Sequence, residues 1–141
     1  MLSFILVNCI TVALVVMIHY EILRALSRFL PLLHIIHRYR IAVGVIGALI
    51  AHTIEIWIFA IVYYWMIQEP AWGSFAGAFN NTFMDCVYFS FTSYTTLGFG
   101  DIEPHGAIRY LTGIESLTGL VLVTWSASFL FYEMQKYWED S

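Results

Sequence analysis

Three long apolar stretches dominate this sequence, and each is long enough to cross a lipid bilayer as a helix. They occupy residues 1–19, 41–67 and 106–133. At 1.5 Å rise per residue, about 20 apolar residues cover the ~30 Å hydrocarbon core of a bilayer. Only 11% of the residues are charged, which is under half of the roughly 25% usual for soluble domains. The sequence therefore predicts an all-α integral membrane protein with three transmembrane helices.

The positions of the arginines indicate how the chain is oriented. Four of the six Lys and Arg residues lie in the stretch 20–40, and none lies in 68–105. Because short loops rich in Lys and Arg stay in the cytoplasm, we expect 20–40 inside and 68–105 outside. The N-terminus is then outside and the C-terminus cytoplasmic. We expect membrane lipids around the helices, and the small size of the chain favours a prokaryotic inner membrane.

A fourth apolar segment, 83–100, does not fit an ordinary membrane span. Gly98 and Gly100 interrupt its second half, and six polar side chains make it too polar for contact with lipid: Asp85, Ser90, Thr92, Ser93, Thr95 and Thr96. Non-helical backbone at membrane depth is tolerated only where it is buried in protein or lines water. The segment therefore predicts a re-entrant loop, with a short helix at 82–94 followed by an extended stretch. Asn81 or Thr82 is a candidate N-cap for this helix.

The extended stretch is Thr95-Thr96-Leu97-Gly98-Phe99-Gly100-Asp101. A monovalent cation loses its hydration shell at low cost only where oxygen atoms replace the water. Glycine reaches the φ/ψ values that turn successive carbonyls toward one axis, while Leu97 and Phe99 pack outward. The Thr96 hydroxyl adds a further ring of oxygens. Since one chain supplies one strand, four chains must surround the axis, which predicts a homotetramer.

This heptad resembles the potassium-channel signature, TVGYGD in its common form. It differs at Leu97, where the signature has valine, and at Phe99, where it has tyrosine. The resemblance covers about residues 41–133 and implies a potassium-selective channel subunit that conducts K+ passively through a tetrameric pore. It implies K+ binding at the carbonyls of Thr96, Leu97, Gly98 and Phe99, with Thr95 and Gly100 at the borders of the selectivity filter.

The resemblance leaves the first 40 residues unaccounted for, so we expect a chain of two parts. Residues 1–40 form an N-terminal transmembrane helix plus a basic cytoplasmic connector, and residues 41–141 form the pore domain. The pore domain is then expected to contain an outer helix at 41–67, a pore helix at 82–94, a filter at 95–101 and an inner helix at 106–133. Asp101 and Glu103 follow the filter, at the outer mouth, where their carboxylates would concentrate cations.

Other functions remain open at this stage. Leu97 and Phe99 could loosen the filter, which would give a weakly selective monovalent cation channel. A non-conducting regulatory channel subunit is another alternative. The sequence has no nucleophile elbow and no repeated Glu-x-x-His pattern, so we do not expect an enzyme. We expect no cofactor apart from K+ as the permeant ion, and no nucleic-acid partner.

Ionisable side chains within apolar segments are candidates for function. His52 and Glu55 are three residues apart and share one face of the second helix, and Glu115 lies at a similar depth in the third. We interpret these residues as a polar network that supports the filter, with Thr92 or Tyr94 as a candidate partner. Proton sensing through His52 and a second ion or ligand site are the alternatives. No role is assigned to His19.

Gly119 lies about midway along the third apolar stretch, 19 residues after Gly100. Related channels often have a glycine near this depth at which the inner helix bends. A small residue there also permits close packing of helices in a membrane. The sequence leaves both roles open, a gating hinge and a packing contact.

Overall fold

The computed structural model describes residues 2–138, so Met1 and the last three residues of the predicted pore domain lie outside the described part. Over this range the chain is mostly helical. The α-helices are α1 (Leu2–Phe29), α2 (His37–Met66), α3 (Phe83–Tyr94) and α4 (Ile108–Trp138). The strands are β1 (Ser74–Gly77) and β2 (Ile102–His105), and short 3-10 helices lie at Leu30–Leu32 and Pro70–Trp72.

Helices α1, α2 and α4 are each long and apolar enough to cross a membrane, which confirms the prediction of three such helices. The apolar spans are Leu2–Leu32, Arg38–Met66 and Ile108–Lys136. Large apolar side chains such as Ile10, Leu49 and Leu120 are exposed along them. Apolar exposure along whole helices is unusual in soluble monomers, and it suits helices whose outer faces contact lipid.

Helices α1 and α2 both extend beyond their predicted limits into the arginine-rich stretch 20–40. Helix α1 continues to Phe29 and α2 begins at His37, so about two thirds of the predicted connector 20–40 is α-helical. The reason is that the buried stripe of α1 continues to Leu23, and packing of that stripe stabilises the additional turns. Pro31 then ends the helix, because proline lacks the N–H that an α-helix needs.

Helix α3 begins with a complete capping box. Thr82 is the N-cap, and its hydroxyl accepts a hydrogen bond from the Asp85 backbone N–H at 3.1 Å. The Asp85 carboxylate in turn accepts from the backbone N–H groups of Asn80 and Thr82. The first of these bonds, aided by those with Thr82, lowers the pKa of Asp85 below its usual range. The start of α3 is therefore specified locally.

A two-stranded antiparallel sheet lies between the helices, and the prediction of an all-α protein did not include it. Strand β1 pairs with β2 in the register Ser74↔His105 to Gly77↔Ile102. Each strand has only four residues and the two are far apart in sequence, so neither gives a clear periodic signal. The sheet connects the chain before α3 to the chain after residues 95–101, the predicted filter, which we call the filter segment.

The packing of α3 determines where the filter segment lies. Helix α3 contacts both α2 and α4, and α1 contacts the same two helices. The buried core between them is aromatic and aliphatic, and includes Phe59, Tyr63, Phe89, Tyr94 and Leu122. Residues 95–101, between α3 and β2, are therefore anchored at both ends.

Candidate functional site

The backbone of the filter segment has an alternating conformation. Thr96, Gly98 and Gly100 have positive φ, at 59°, 52° and 77°, whereas Leu97 and Phe99 between them do not. A non-glycine residue such as Thr96 rarely adopts this left-handed conformation. Two hydrogen bonds attach the segment to α3, from the Thr96 N–H to the Ser93 carbonyl and from the Gly98 N–H to the Thr92 carbonyl, each 3.0 Å.

The two apolar side chains of the segment point away from the protomer. Leu97 is 59% exposed and Phe99 is 65% exposed. The Phe99 ring stacks on Tyr88 of α3 with 6.5 Å between centroids and an angle of 6° between the ring planes. A Cβ atom added at Gly98 or Gly100 would meet no atom of the described residues 2–138 within 4 Å. Glycine is therefore favoured at these positions by the positive φ and not by lack of space.

Asp101 and Glu103, the predicted outer-mouth carboxylates, lie in different environments. The Tyr88 hydroxyl donates a hydrogen bond of 2.8 Å to the Asp101 carboxylate, and this bond raises the pKa of Tyr88. The Asp101 carbonyl also accepts from the Ala78 N–H at 2.8 Å. Glu103 lies on β2 with an exposed side chain, 4.0 Å from the His105 ring. Asp101 thus ties the end of the filter segment to α3, whereas Glu103 is solvated.

His52 and Glu55 contact the last residue of α3. His52 Nδ1 lies 3.0 Å from Glu55 Oε2 and 2.9 Å from the Tyr94 hydroxyl. The Tyr94 hydroxyl donates to the same Glu55 oxygen. The sequence named Thr92 or Tyr94 as a partner, and the structure brings in Tyr94. The Thr92 hydroxyl donates instead to the Phe89 carbonyl.

His19, to which the sequence assigned no role, joins this group from α1. It is fully buried, and its Nδ1 lies 2.7 Å from Glu55 Oε1. The buried residues of α1 follow one helical stripe of spacing three and four: Phe4, Asn8, Thr11, Val15, His19 and Leu23. The spacing of this stripe was the sequence signal for His19, because a histidine on the stripe faces the protein interior.

Glu115 lies in a second network, separate from Glu55. Its carboxylate accepts a 2.6 Å hydrogen bond from the Tyr63 hydroxyl and another from the Ser90 hydroxyl. The Ser90 hydroxyl also lies 2.8 Å from the Ile56 carbonyl. The network joins α2, α3 and α4 in the interior. The sequence placed Glu115 at the depth of Glu55, but the structure assigns the two carboxylates to different partners.

Replacing Glu115 with alanine is expected to destabilise the protein by about 2–4 kcal/mol, because it leaves a cavity at a fully buried position and removes the carboxylate that accepts from Tyr63 and Ser90. Glu115→Gln keeps an acceptor for Tyr63 and should cost less than about 1 kcal/mol. Thermal unfolding of the detergent-solubilised protein measures both. Equal destabilisation by the two substitutions would show that the carboxylate charge, and not hydrogen bonding, is what the site needs.

Gly119 brings α4 against the end of α3. A Cβ atom at this position would lie 2.1 Å from the Tyr94 carbonyl oxygen and 2.9 Å from its carbonyl carbon. One turn earlier, the Ser116 hydroxyl donates a 2.9 Å hydrogen bond to the Ser93 carbonyl. Of the two roles that the sequence left open for Gly119, these contacts favour close packing.

Comparison with known proteins identifies the family of the chain. A family model described as "Ion channel" matches residues 51–136, from the middle of α2 through α3 and the filter segment to near the end of α4. No curated protein and no solved structure matches the chain. The match covers more than half of the sequence, and it does not belong to an enzyme family. The chain is an integral membrane protein and belongs to this ion channel family.

Proposed function

We propose that the chain is one subunit of a tetrameric potassium channel and conducts K+ passively through a filter formed by Thr95 to Gly100. The observation that carries the proposal is the alternation of backbone conformation, with positive φ at 96, 98 and 100. When left-handed residues alternate with ordinary ones, successive carbonyls turn toward the same side instead of alternating, as they do in a β-strand. A column of oxygens of this kind replaces the hydration shell of a dehydrated cation.

The bound ions are assigned to the carbonyls of Thr96, Leu97, Gly98 and Phe99. Thr95 and Gly100 border the column, and α3 ends directly before it. The negative end of the α3 dipole favours a cation beyond its C-terminus. Asp101 and Glu103 add negative charge at the other end of the segment. No cofactor is needed for this function, since K+ is the permeant ion.

Apolar side chains on one side of the protomer support assembly into a homotetramer. Met84, Tyr88 and Phe91 have helical spacing on α3 and are exposed, beside the exposed Leu97 and Phe99. These residues adjoin the filter segment, which cannot face lipid because its backbone is not helical. Neighbouring copies of the chain must therefore cover this surface. Four copies would enclose one axis lined by four filter segments.

The aromatic pair Tyr88 and Phe99 supports selectivity for K+ over a weakly selective pore. Phe99 lacks the hydroxyl that the common signature has, which would otherwise tie the filter to the residues behind it. Here Tyr88 stacks on the Phe99 ring and donates a hydrogen bond to Asp101. These two contacts compensate for the missing hydroxyl by connecting the filter segment to α3.

We further propose that His52, Glu55, Glu115 and Gly119 support the filter from behind. His52 and Glu55 contact the side chain of Tyr94, Gly119 contacts its backbone, and Glu115 accepts a hydrogen bond from Ser90 on the same helix.

Residues 20–40 carry most of the basic charge, so the proposed orientation has the N-terminus outside and the C-terminus in the cytoplasm.

Ion flux into liposomes tests the proposal. The purified protein is reconstituted, and uptake is measured with K+ or with Na+ as the driving ion, with Ba2+ added as a blocker. We expect K+ flux well above Na+ flux, inhibition by Ba2+, and a native mass of four chains. Equal passage of Na+ would leave a weakly selective cation channel, and a tetramer without any flux would favour a non-conducting subunit.

A further inference from the structure

The interior of the protein contains a set of metal-ligating side chains outside the filter. His19 of α1 and His52 and Glu55 of α2 each offer one ligand atom, and these atoms all lie within 4.8 Å of one another. His19 and Glu55 are fully buried, and the His52 side chain is 13% exposed. The three residues come from two helices that are separated by a turn, so the set is created by tertiary packing.

The distances suit a divalent ion with only small adjustments. Zinc binds imidazole nitrogen and carboxylate oxygen at about 2.0–2.2 Å in a tetrahedron, which places neighbouring ligand atoms about 3.3 Å apart. In the structure Glu55 Oε1 lies 2.7 Å from His19 Nδ1, and Glu55 Oε2 lies 3.0 Å from His52 Nδ1. The two pairs therefore need to separate by about 0.6 Å and about 0.3 Å. Because they use different oxygens of Glu55, the carboxylate must also turn so that one oxygen contacts the ion together with both imidazoles.

The surrounding side chains orient the ligands as in known metal sites. His19 Nε2 lies 3.4 Å from the Ser126 hydroxyl of α4, so a proton on this nitrogen has an acceptor and Nδ1 is left as a lone-pair donor. The Tyr94 hydroxyl donates to Glu55. Partners of this kind set the tautomer of a ligating histidine and hold a ligating carboxylate in place.

The charge of the cluster is compatible with an ion at this position. The cluster combines one carboxylate with two imidazoles, and a buried carboxylate is costly unless a cation compensates it. Next to the cluster, the His19 ring contacts Trp125 with 5.2 Å between centroids. Trp125 also lines a cavity of ≈ 360 Å³ between α1 and α4 that includes Arg24 and Glu133. His19 itself does not line this cavity, so Trp125 lies between the cavity and the cluster.

We infer that His19, His52 and Glu55 form a binding site for a divalent transition-metal ion of the zinc class, which joins α1 to the pore domain next to Tyr94. Two imidazoles and one carboxylate match the protein ligands of known zinc centres, and imidazole also binds Co2+ and Ni2+. A water molecule completes four-fold coordination, while Tyr94 keeps its hydrogen bond to Glu55. Such a site does not depend on which ion the pore conducts.

Binding of Co2+ to the full-length, chelator-treated protein in detergent tests the site without any flux measurement. We expect one Co2+ per chain, with the visible d–d absorption of a four-coordinate nitrogen and oxygen site. Zn2+ should displace the Co2+ and raise the unfolding temperature. His19→Gln and His52→Gln should each weaken Co2+ binding by at least about tenfold.

The matched control is His34→Gln, because His34 is exposed in the turn between α1 and α2 and lies outside the cluster. It should bind Co2+ like the unaltered protein. Absence of a four-coordinate Co2+ spectrum in the folded, unaltered protein would overturn the inference. Equal loss of binding in His34→Gln would overturn it as well, since it would place the metal at the surface.

Discussion

Gly119→Ala is expected to remove most of the potassium flux and to destabilise the protein. The added Cβ would lie 2.1 Å from the Tyr94 carbonyl oxygen, a backbone atom that no side-chain rotation can move away. Helix α4 or the end of α3 must shift, and overpacking of this kind typically costs about 1–3 kcal/mol or more per chain. Because Tyr94 directly precedes the filter segment, the shift also displaces the filter. Liposome flux and thermal unfolding measure the two effects.

Gly113→Ala is the matched control for this substitution. Gly113 lies on the same helix, and a Cβ there would meet nothing within 4 Å in the protomer. We expect flux and unfolding temperature near those of the unaltered protein. A stable Gly119→Ala protein with changed opening but normal unfolding would contradict the packing role and restore the gating-hinge interpretation.

Gly98→Ala is expected to reduce K+ flux by at least about tenfold while leaving the unfolding temperature nearly unchanged. Alanine in the left-handed conformation costs roughly 1–2 kcal/mol per residue, and the exposed segment relieves this strain by a local change of backbone conformation that leaves the buried core intact. The carbonyl at position 98 then tends to turn away from the axis. The fold should tolerate the methyl group, since no atom lies within 4 Å of the Cβ position.

The two glycine substitutions therefore separate conduction from folding. Gly98→Ala should lose flux and keep stability, whereas Gly119→Ala should lose both. Flux through Gly98→Ala is compared with that through Gly113→Ala in liposomes of the same composition. Unchanged K+ flux and an unchanged ratio of K+ to Na+ in Gly98→Ala would show that the conduction pathway does not pass through this segment.

Much of the architecture could be predicted from local patterns. Three apolar stretches predicted three long helices, and the structure contains them because helix formation depends on residues within a few turns. The start of α3 also depends on neighbouring residues, since Thr82 and Asp85 are three residues apart and complete a capping box. The resemblance of the heptad from Thr95 to Asp101 predicted an ion channel, and the family match confirms that class of protein.

Contacts between distant residues could not be predicted in the same way. The pairing of β1 with β2, the Tyr88 bond to Asp101 and the assignment of Glu115 to Tyr63 and Ser90 each depend on how helices pack. The sequence suggested that His52 and Glu55 act together, but it did not show that a third side chain, His19, reaches them from α1. His19 was detectable on its buried stripe, yet its partner lies 36 residues away.

The sequence by itself determined the membrane-spanning helices, the cap of α3 and the glycine pattern of the filter segment, because each of these arises from neighbouring residues and backbone preferences. Only the tertiary structure decided which buried side chains meet. Helix packing brings His19 to Glu55, and it presses Gly119 against the Tyr94 carbonyl. Such contacts are set by the angle and spacing between helices, and those depend on the whole interface at once.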